Sequence, residues 1–179
     1  MSDFIDIFVI GDGEDVNVEV MQKYREIKHL PRKQKIEELA KRELQSTLAI
    51  SLHAPNHKIR SELMPIENKY PIDKLKEALL NYIEKTGRRI TIENILIHGL
   101  NDTIQCAKEL AIFLRNIKCN INLIPYNSVE ETQYKKSTNS DIMQFKYILE
   151  HSGKKVTVRL ERGADIDAAC GQLRGKCEG

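Results

Sequence analysis

From Thr47 onward the apolar residues alternate between two spacings. Short runs rich in β-branched residues, Thr47–Leu52, Arg89–Ile97, Asn120–Ile124 and Val156–Leu160, read as strands. Between them, apolar positions fall three or four residues apart, the spacing of one helix face. Pro71 opens the first long helix, with Ile72, Leu75, Leu79 and Ile83 inward, and Gly87 is placed to cap its C-terminus. The next helix carries Ile104, Ala107, Leu110, Ala111 and Leu114 inward, with Asp102 as its expected cap. A third starts near Ser140, carries Ile142, Phe145, Ile148 and Leu149, and stops at Gly153. A shorter helical piece, Lys58 to Leu63, follows the loop His53-Ala-Pro-Asn56. Strand, loop and helix repeat and end on a strand. This predicts an α/β fold with a parallel sheet, either open or a partial barrel, because a closed barrel needs about eight such units.

The chain before Thr47 is less regular. Phe4–Ile10 reads as a strand, Gly11-Asp-Gly13-Glu14 as a turn, and Val16 to Ile27 as a helix. A strand, a Gly-x-Gly turn and a helix make either a plain tight connection or an anion site at the helix N-terminus, and the spacing does not choose between them. Pro31 starts another helix over Lys33–Leu44, with Ile36, Leu39 and Leu44 on one face.

Length and charge narrow this picture. At 179 residues the chain makes one domain with an appended segment. A net charge of +2 does not by itself imply nucleic acid, and the basic clusters at Arg32–Lys35, Lys135-Lys136 and Lys154-Lys155 read as solvated surface. No apolar run reaches the ~20 residues of a membrane span, no signal peptide is visible, and a cytoplasmic location is expected. The four cysteines, Cys106, Cys119, Cys170 and Cys177, form no CxxC pair, so no metal site is assigned to them.

In parallel α/β folds, ligands bind at the loops after the C-terminal ends of the strands. Polar residues gather there: Ser51, His53 and Asn56; His98, Asn101 and Asp102; Tyr126, Asn127 and Ser128. After the last strand comes Gly163-Ala-Asp-Ile-Asp-Ala-Ala-Cys170-Gly-Gln-Leu173, whose small residues leave the sulfur accessible. Arg162 and Arg174 would lower the thiol pKa, and Asp165 and Asp167 would oppose them. Chemistry alone leaves Cys170 as either an inert filler or a nucleophile.

The segments Leu48-Ala-Ile-Ser-Leu-His-Ala-Pro-Asn56, Arg60-Ser-Glu-Leu-Met-Pro-Ile66, Lys85-Thr-Gly-Arg-Arg-Ile-Thr91, Gly99-Leu-Asn-Asp102, Asn122-Leu-Ile-Pro-Tyr-Asn127 and Asp165-Ile-Asp-Ala-Ala-Cys-Gly-Gln-Leu173 change that balance. Together they closely resemble the C-terminal part of the RlmN-type dual-specificity RNA methyltransferases, a radical S-adenosylmethionine family. The resemblance implies a partial radical-SAM-type (βα) barrel holding only its C-terminal strands and helices. It also implies methylation of C2 of adenine in large-subunit ribosomal RNA and transfer RNA. Cys170 would be the S-methylcysteine intermediate, and Ser51, Leu52, His53 and Asn127 would contact S-adenosylmethionine. A 4Fe–4S cluster is expected for the family. His98 stands where the family usually has an acid and takes no role. Glu161 and Ala164 also depart from the pattern.

The cluster's CxxxCxxC motif is absent from the sequence, as is the upstream resolving cysteine. Residues 46–175 are therefore expected to form the C-terminal part of the barrel, with 176–179 a tail. The alternative is a catalytically incomplete SAM- or RNA-binding α/β fragment. Residues 1–45 are expected to be a foreign or fused segment, since Ile5–Asp15 resembles the turn of a cobalamin-binding radical S-adenosylmethionine family. Gly13 and Glu14 are left outside the assigned site.

Overall fold

The computed structural model describes residues 7–10, 29–41, 47–127 and 133–159. The expected helix at Val16–Ile27, the Gly11–Glu14 turn and the segment around Cys170 lie outside the described residues.

Five strands form one sheet in the order β1-β2-β3-β4-β5: β1 (Ile7–Ile10), β2 (Thr47–Ser51), β3 (Ile90–Leu96), β4 (Cys119–Pro125) and β5 (Lys155–Val158). β2 to β5 run parallel. The helices are α1 (Arg32–Ala40), α2 (His57–Leu63), α3 (Ile72–Thr86), α4 (Ile104–Phe113) and α5 (Asn139–His151), with a 3-10 turn at Pro65–Asn68.

Side chains alternate along each strand, and the main core lies on one of the two faces. Leu48, Ile50, Ile90, Ile92, Leu96, Ile121, Leu123 and Val156 join Ile36 of α1, Leu75 and Leu79 of α3, Leu110 of α4 and Phe145 of α5 in a single core. Sequential strand order with the helices packed on one side is the winding of a barrel. In a doubly wound sheet, helices cover both sides. The partial barrel expected from the sequence is therefore what forms.

Local chemistry sets the helix ends. Gly87 adopts φ 66° and its N–H closes on the Ile83 carbonyl at 2.8 Å, as expected for a left-handed C-cap. The cap of α4 is Thr103, which accepts from the Cys106 N–H, rather than Asp102. Asp102 instead accepts from the Gly99 N–H at 2.9 Å inside the preceding turn. Ile104, expected inward, is 45% exposed, and Cys106 and Phe113 are buried in its place.

β1 runs against the other four strands. It pairs antiparallel with β2, Ile10 opposite Thr47 and Ile7 opposite Ile50. Its C-terminal end therefore lies beside the N-terminal end of β2, opposite to the strand ends that carry the candidate loops.

Candidate functional site

The sheet face away from the helices is built from the other half of each strand's alternation. Ser51, Glu93, Asn122 and Thr157 stand in one register row across β2 to β5. Ala49, Thr91, Asn120 and Lys155 make the row below. Asn122 donates its amide N–H to Glu93 Oε1 at 2.9 Å, which fixes the carboxylate in the middle of the row. Ser51 and Thr91 are buried, Glu93, Asn120 and Asn122 are half-buried, and Thr157 and Lys155 are exposed. These two rows make a polar floor, and the next row towards the strand ends on the same face is apolar, Ile95 opposite Ile124. A hydroxyl, a carboxylate and an amide on the floor can hydrogen-bond the hydroxyl, amine or amide groups of a polar ligand.

His53 sits just beyond β2 with φ 59°, the left-handed region unusual for a residue with a Cβ. Two hydrogen bonds hold it there. The Ile95 N–H donates to His53 Nδ1 at 3.2 Å, and Asn101 Nδ2 donates to the His53 carbonyl at 2.7 Å. Leu52, immediately before it, is fully buried. Because Nδ1 accepts, the neutral ring carries its proton on Nε2. Burial, with the nearby Arg60 cation adding to it, pushes the His53 pKa down to about 4. At neutral pH His53 is therefore an uncharged donor.

Asn101 joins two loops. Besides His53, its amide donates to the Ile95 carbonyl at 2.7 Å, and its Oδ1 accepts from the Ile97 N–H at 2.7 Å. It is buried, and all three bonds end on main chain. Below the β2 loop, Arg60 and Glu67 form a fully buried ion pair. Arg60 Nε donates to the Leu52 carbonyl at 3.2 Å, and Glu67 Oε1 accepts from the Ile72 N–H at 2.8 Å. Buried charges persist only when paired and hydrogen-bonded, and here the pair props up the main chain of the candidate site.

The residues singled out in the sequence take different places. Ser51 lies on the polar floor, and His53 lies above it. Both main-chain groups of Leu52 have protein partners: its N–H bonds the Glu93 carbonyl at 2.9 Å, and its carbonyl accepts from Arg60. Asn127 is exposed, two residues past the end of β4. Two strand spacings, about 10 Å, separate β2 from β4. Asn56 is committed to structure, capping α2 through the Ile59 N–H and donating to Glu109. Tyr126 packs edge-on against Tyr134. Cys170 and Ser128 lie outside the described residues.

Four residues of the candidate site were not singled out from the sequence. Glu93 and Asn122 were visible as polar residues recurring at every second position of β3 and β4. Arg60 and Glu67 had no such signal, because a charge on a short helix reads as surface until its partner is known.

The residues of this chain do not fit a 4Fe–4S cluster. Cys106 and Cys119 are buried in the helix-covered core, on α4 and at the start of β4. Burial pushes the Cys119 thiol up, against the pull of Lys154 and Arg89, so it is held away from the thiolate form that binds iron. The sequence has no CxxxCxxC triplet: Cys170 and Cys177 are seven positions apart, as the motif's first and third cysteines are, but the middle cysteine is lacking. S-adenosylmethionine is a different case. Its ribose and amino-acid ends suit the donors and acceptors of the polar floor.

Among the described residues no helix is long and apolar enough to cross a membrane. No family model matches the chain. Over 142 residues, 79% of this chain, it is 50% identical to a probable dual-specificity RNA methyltransferase RlmN of Lachnospira eligens, covering 41% of that protein. A protein of the same name in Caldanaerobacter subterraneus is 52% identical over 142 residues, 42% of its length. One in Desulforamulus reducens is 51% identical over 144 residues, 41% of its length. The chain thus spans about two fifths of the length of the curated relatives it matches. A radical SAM methyltransferase from Sphaerobacter thermophilus superposes with a TM-score of 0.75 at 44% identity, covering 78% of this chain and 41% of that one. A domain of pyruvate-formate lyase-activating enzyme from Bacteroides vulgatus superposes with a TM-score of 0.60 at 18% identity, covering 84% and 97%. At that identity it shares the fold alone.

Proposed function

The matched stretch corresponds to the C-terminal part of the RlmN-type dual-specificity RNA methyltransferases, and on that premise we propose that this chain carries part of a radical S-adenosylmethionine methyltransferase acting on C2 of adenine in large-subunit ribosomal RNA and transfer RNA. The observation that carries the reading is 50% identity sustained over 142 residues. Ser51, Leu52, His53 and Asn127 form the S-adenosylmethionine site in this reading, with Cys170 as the methyl carrier.

The chain's residues bind and orient. Ser51 offers a hydroxyl at the end of β2, the neutral His53 offers Nε2–H, and Asn127 offers an amide above β4. Leu52 contributes by position, since its carbonyl is anchored to Arg60. S-adenosylmethionine, when bound, supplies an electrophilic methyl group. A thiolate at Cys170 is a far better acceptor for it than C2 of an adenine, which is too weakly nucleophilic for direct transfer. Two-stage transfer through a cysteine follows from that difference. The CxxxCxxC ligands that a radical step would need are absent from this sequence.

A second reading is favoured by one observation, the missing CxxxCxxC motif. In it the chain binds S-adenosylmethionine or RNA without turnover. Calorimetric titration of the chain with S-adenosylmethionine tests the part common to both, the site itself. Saturable binding of a single equivalent is expected, and the absence of binding would overturn the assignment of the site. Under the second reading, RNA binding by this chain falls with added salt.

A further inference from the structure

Between the β3–α4 loop and the start of α5, three ligand-type side chains meet. His98 Nδ1 lies 3.4 Å from Asp102 Oδ2 and 3.8 Å from Asp141 Oδ2, and the three donor atoms all fall within 4.8 Å of one another. Asp102 is only 7% exposed, and its Oδ2 is buried without a hydrogen bond. A buried carboxylate oxygen left in that state is costly, and it is aimed at the same point as the other two donors.

We propose that His98, Asp102 and Asp141 form a divalent transition-metal site that fastens the β3–α4 loop to the start of α5. Around a tetrahedral ion with bonds of about 2.0–2.1 Å, neighbouring ligand atoms stand roughly 3.3 Å apart, close to the His98–Asp102 separation. One imidazole with two carboxylates suits zinc, cobalt or manganese; an all-oxygen set would suit magnesium or calcium. Both carboxylates are held by hydrogen bonds of their own. Gly99 N–H donates to Asp102 Oδ1 at 2.9 Å, and the Thr138 hydroxyl donates to Asp141 Oδ2 at 2.6 Å. Such outer contacts orient ligands at metal sites. His98 and Asp141 are partly exposed, which gives an ion a way in and leaves a coordination position for water. The main chain already draws the same elements together, since the His98 N–H bonds the Lys135 carbonyl at 2.9 Å and Ile97 pairs with Lys136.

Cobalt(II) titration of the chelator-stripped chain, followed by visible absorption, tests this. The expected result is saturable binding of a single ion, a tetrahedral spectrum without a sulfur charge-transfer band, and a raised melting temperature that a chelator reverses. His98→Ala and Asp141→Asn, both at the surface, each weaken binding at least tenfold. Thr138→Val, which keeps all three ligands, weakens it on the order of 10–100-fold. Absence of saturable binding overturns the proposal. So does binding that survives His98→Ala or shows a thiolate band, because the ion would then sit on cysteine.

Discussion

Asn101 Nδ2 donates to the main-chain carbonyl of His53 across the gap between two strand-end loops, at 2.7 Å. That bond helps to hold His53 at φ 59° and sets the level of the β2 loop against β3. Asn101→Ala orphans the Ile97 N–H and the His53 carbonyl, and takes one of two amide donors from the Ile95 carbonyl. A loss of about 3 kcal/mol is expected, read as a lower urea midpoint at unchanged slope. Asn101→Asp should lose at least as much, because it turns a carboxylate towards two carbonyl oxygens.

The buried Arg60–Glu67 pair predicts strong non-additivity. Arg60→Met leaves the buried Glu67 carboxylate with only His57 Nδ1, 2.9 Å away, and the Ile72 N–H beside it, at a cost of about 3–5 kcal/mol. Adding Glu67→Gln removes that charge while keeping an acceptor for the Ile72 N–H. The double variant should therefore be more stable than Arg60→Met alone in a double-mutant cycle. Additive losses would mean that the two side chains act separately.

His53 gives the fold a pH dependence of known sign. Its folded pKa, about 4, lies below the ordinary histidine value of 6.5. Between those values the unfolded chain binds more protons, so stability falls as the pH drops from 6.5 towards 4 and levels off below. Above 6.5 the contribution is fully present. The whole change is on the order of 2–4 kcal/mol. His53→Asn tolerates positive φ and retains an acceptor for Ile95, so the difference between the two proteins across that window isolates the effect.

Much of this fold could be read from the spacing of apolar residues, because a helix or strand that buries one face must repeat it. The Gly87 cap and the inward Ile72, Leu75 and Leu79 followed directly from that rule. Ile104 did not, because the first turn of a helix overhangs the core edge and its face is set by the cap, which is Thr103. The direction of β1 was equally hidden. A run of β-formers states that a strand exists but not which neighbour it pairs with. At the site, strand-end polar residues were readable by position, but the roles of Arg60 and Asn101 depend on partners 7 and 48 residues away.

The missing cluster ligands give a plain chemical expectation. Anaerobic reconstitution of this chain with iron and sulfide should yield no stoichiometric 4Fe–4S absorption, and addition of S-adenosylmethionine and a reductant should yield no 5′-deoxyadenosine. A stoichiometric cluster would show that Cys106, Cys119, Cys170 and Cys177 can rearrange to hold iron, against the burial of the first two.

In the proposed function the strand ends of β2 and β4 hold S-adenosylmethionine. Comparing the titration of the unaltered chain with that of Asn127→Ala is the most direct test. Asn127 is exposed and lies beyond β4, so its loss should leave folding intact. Affinity at least tenfold weaker is expected in the variant, with an unchanged urea midpoint. Equal affinity in the two proteins would contradict that assignment.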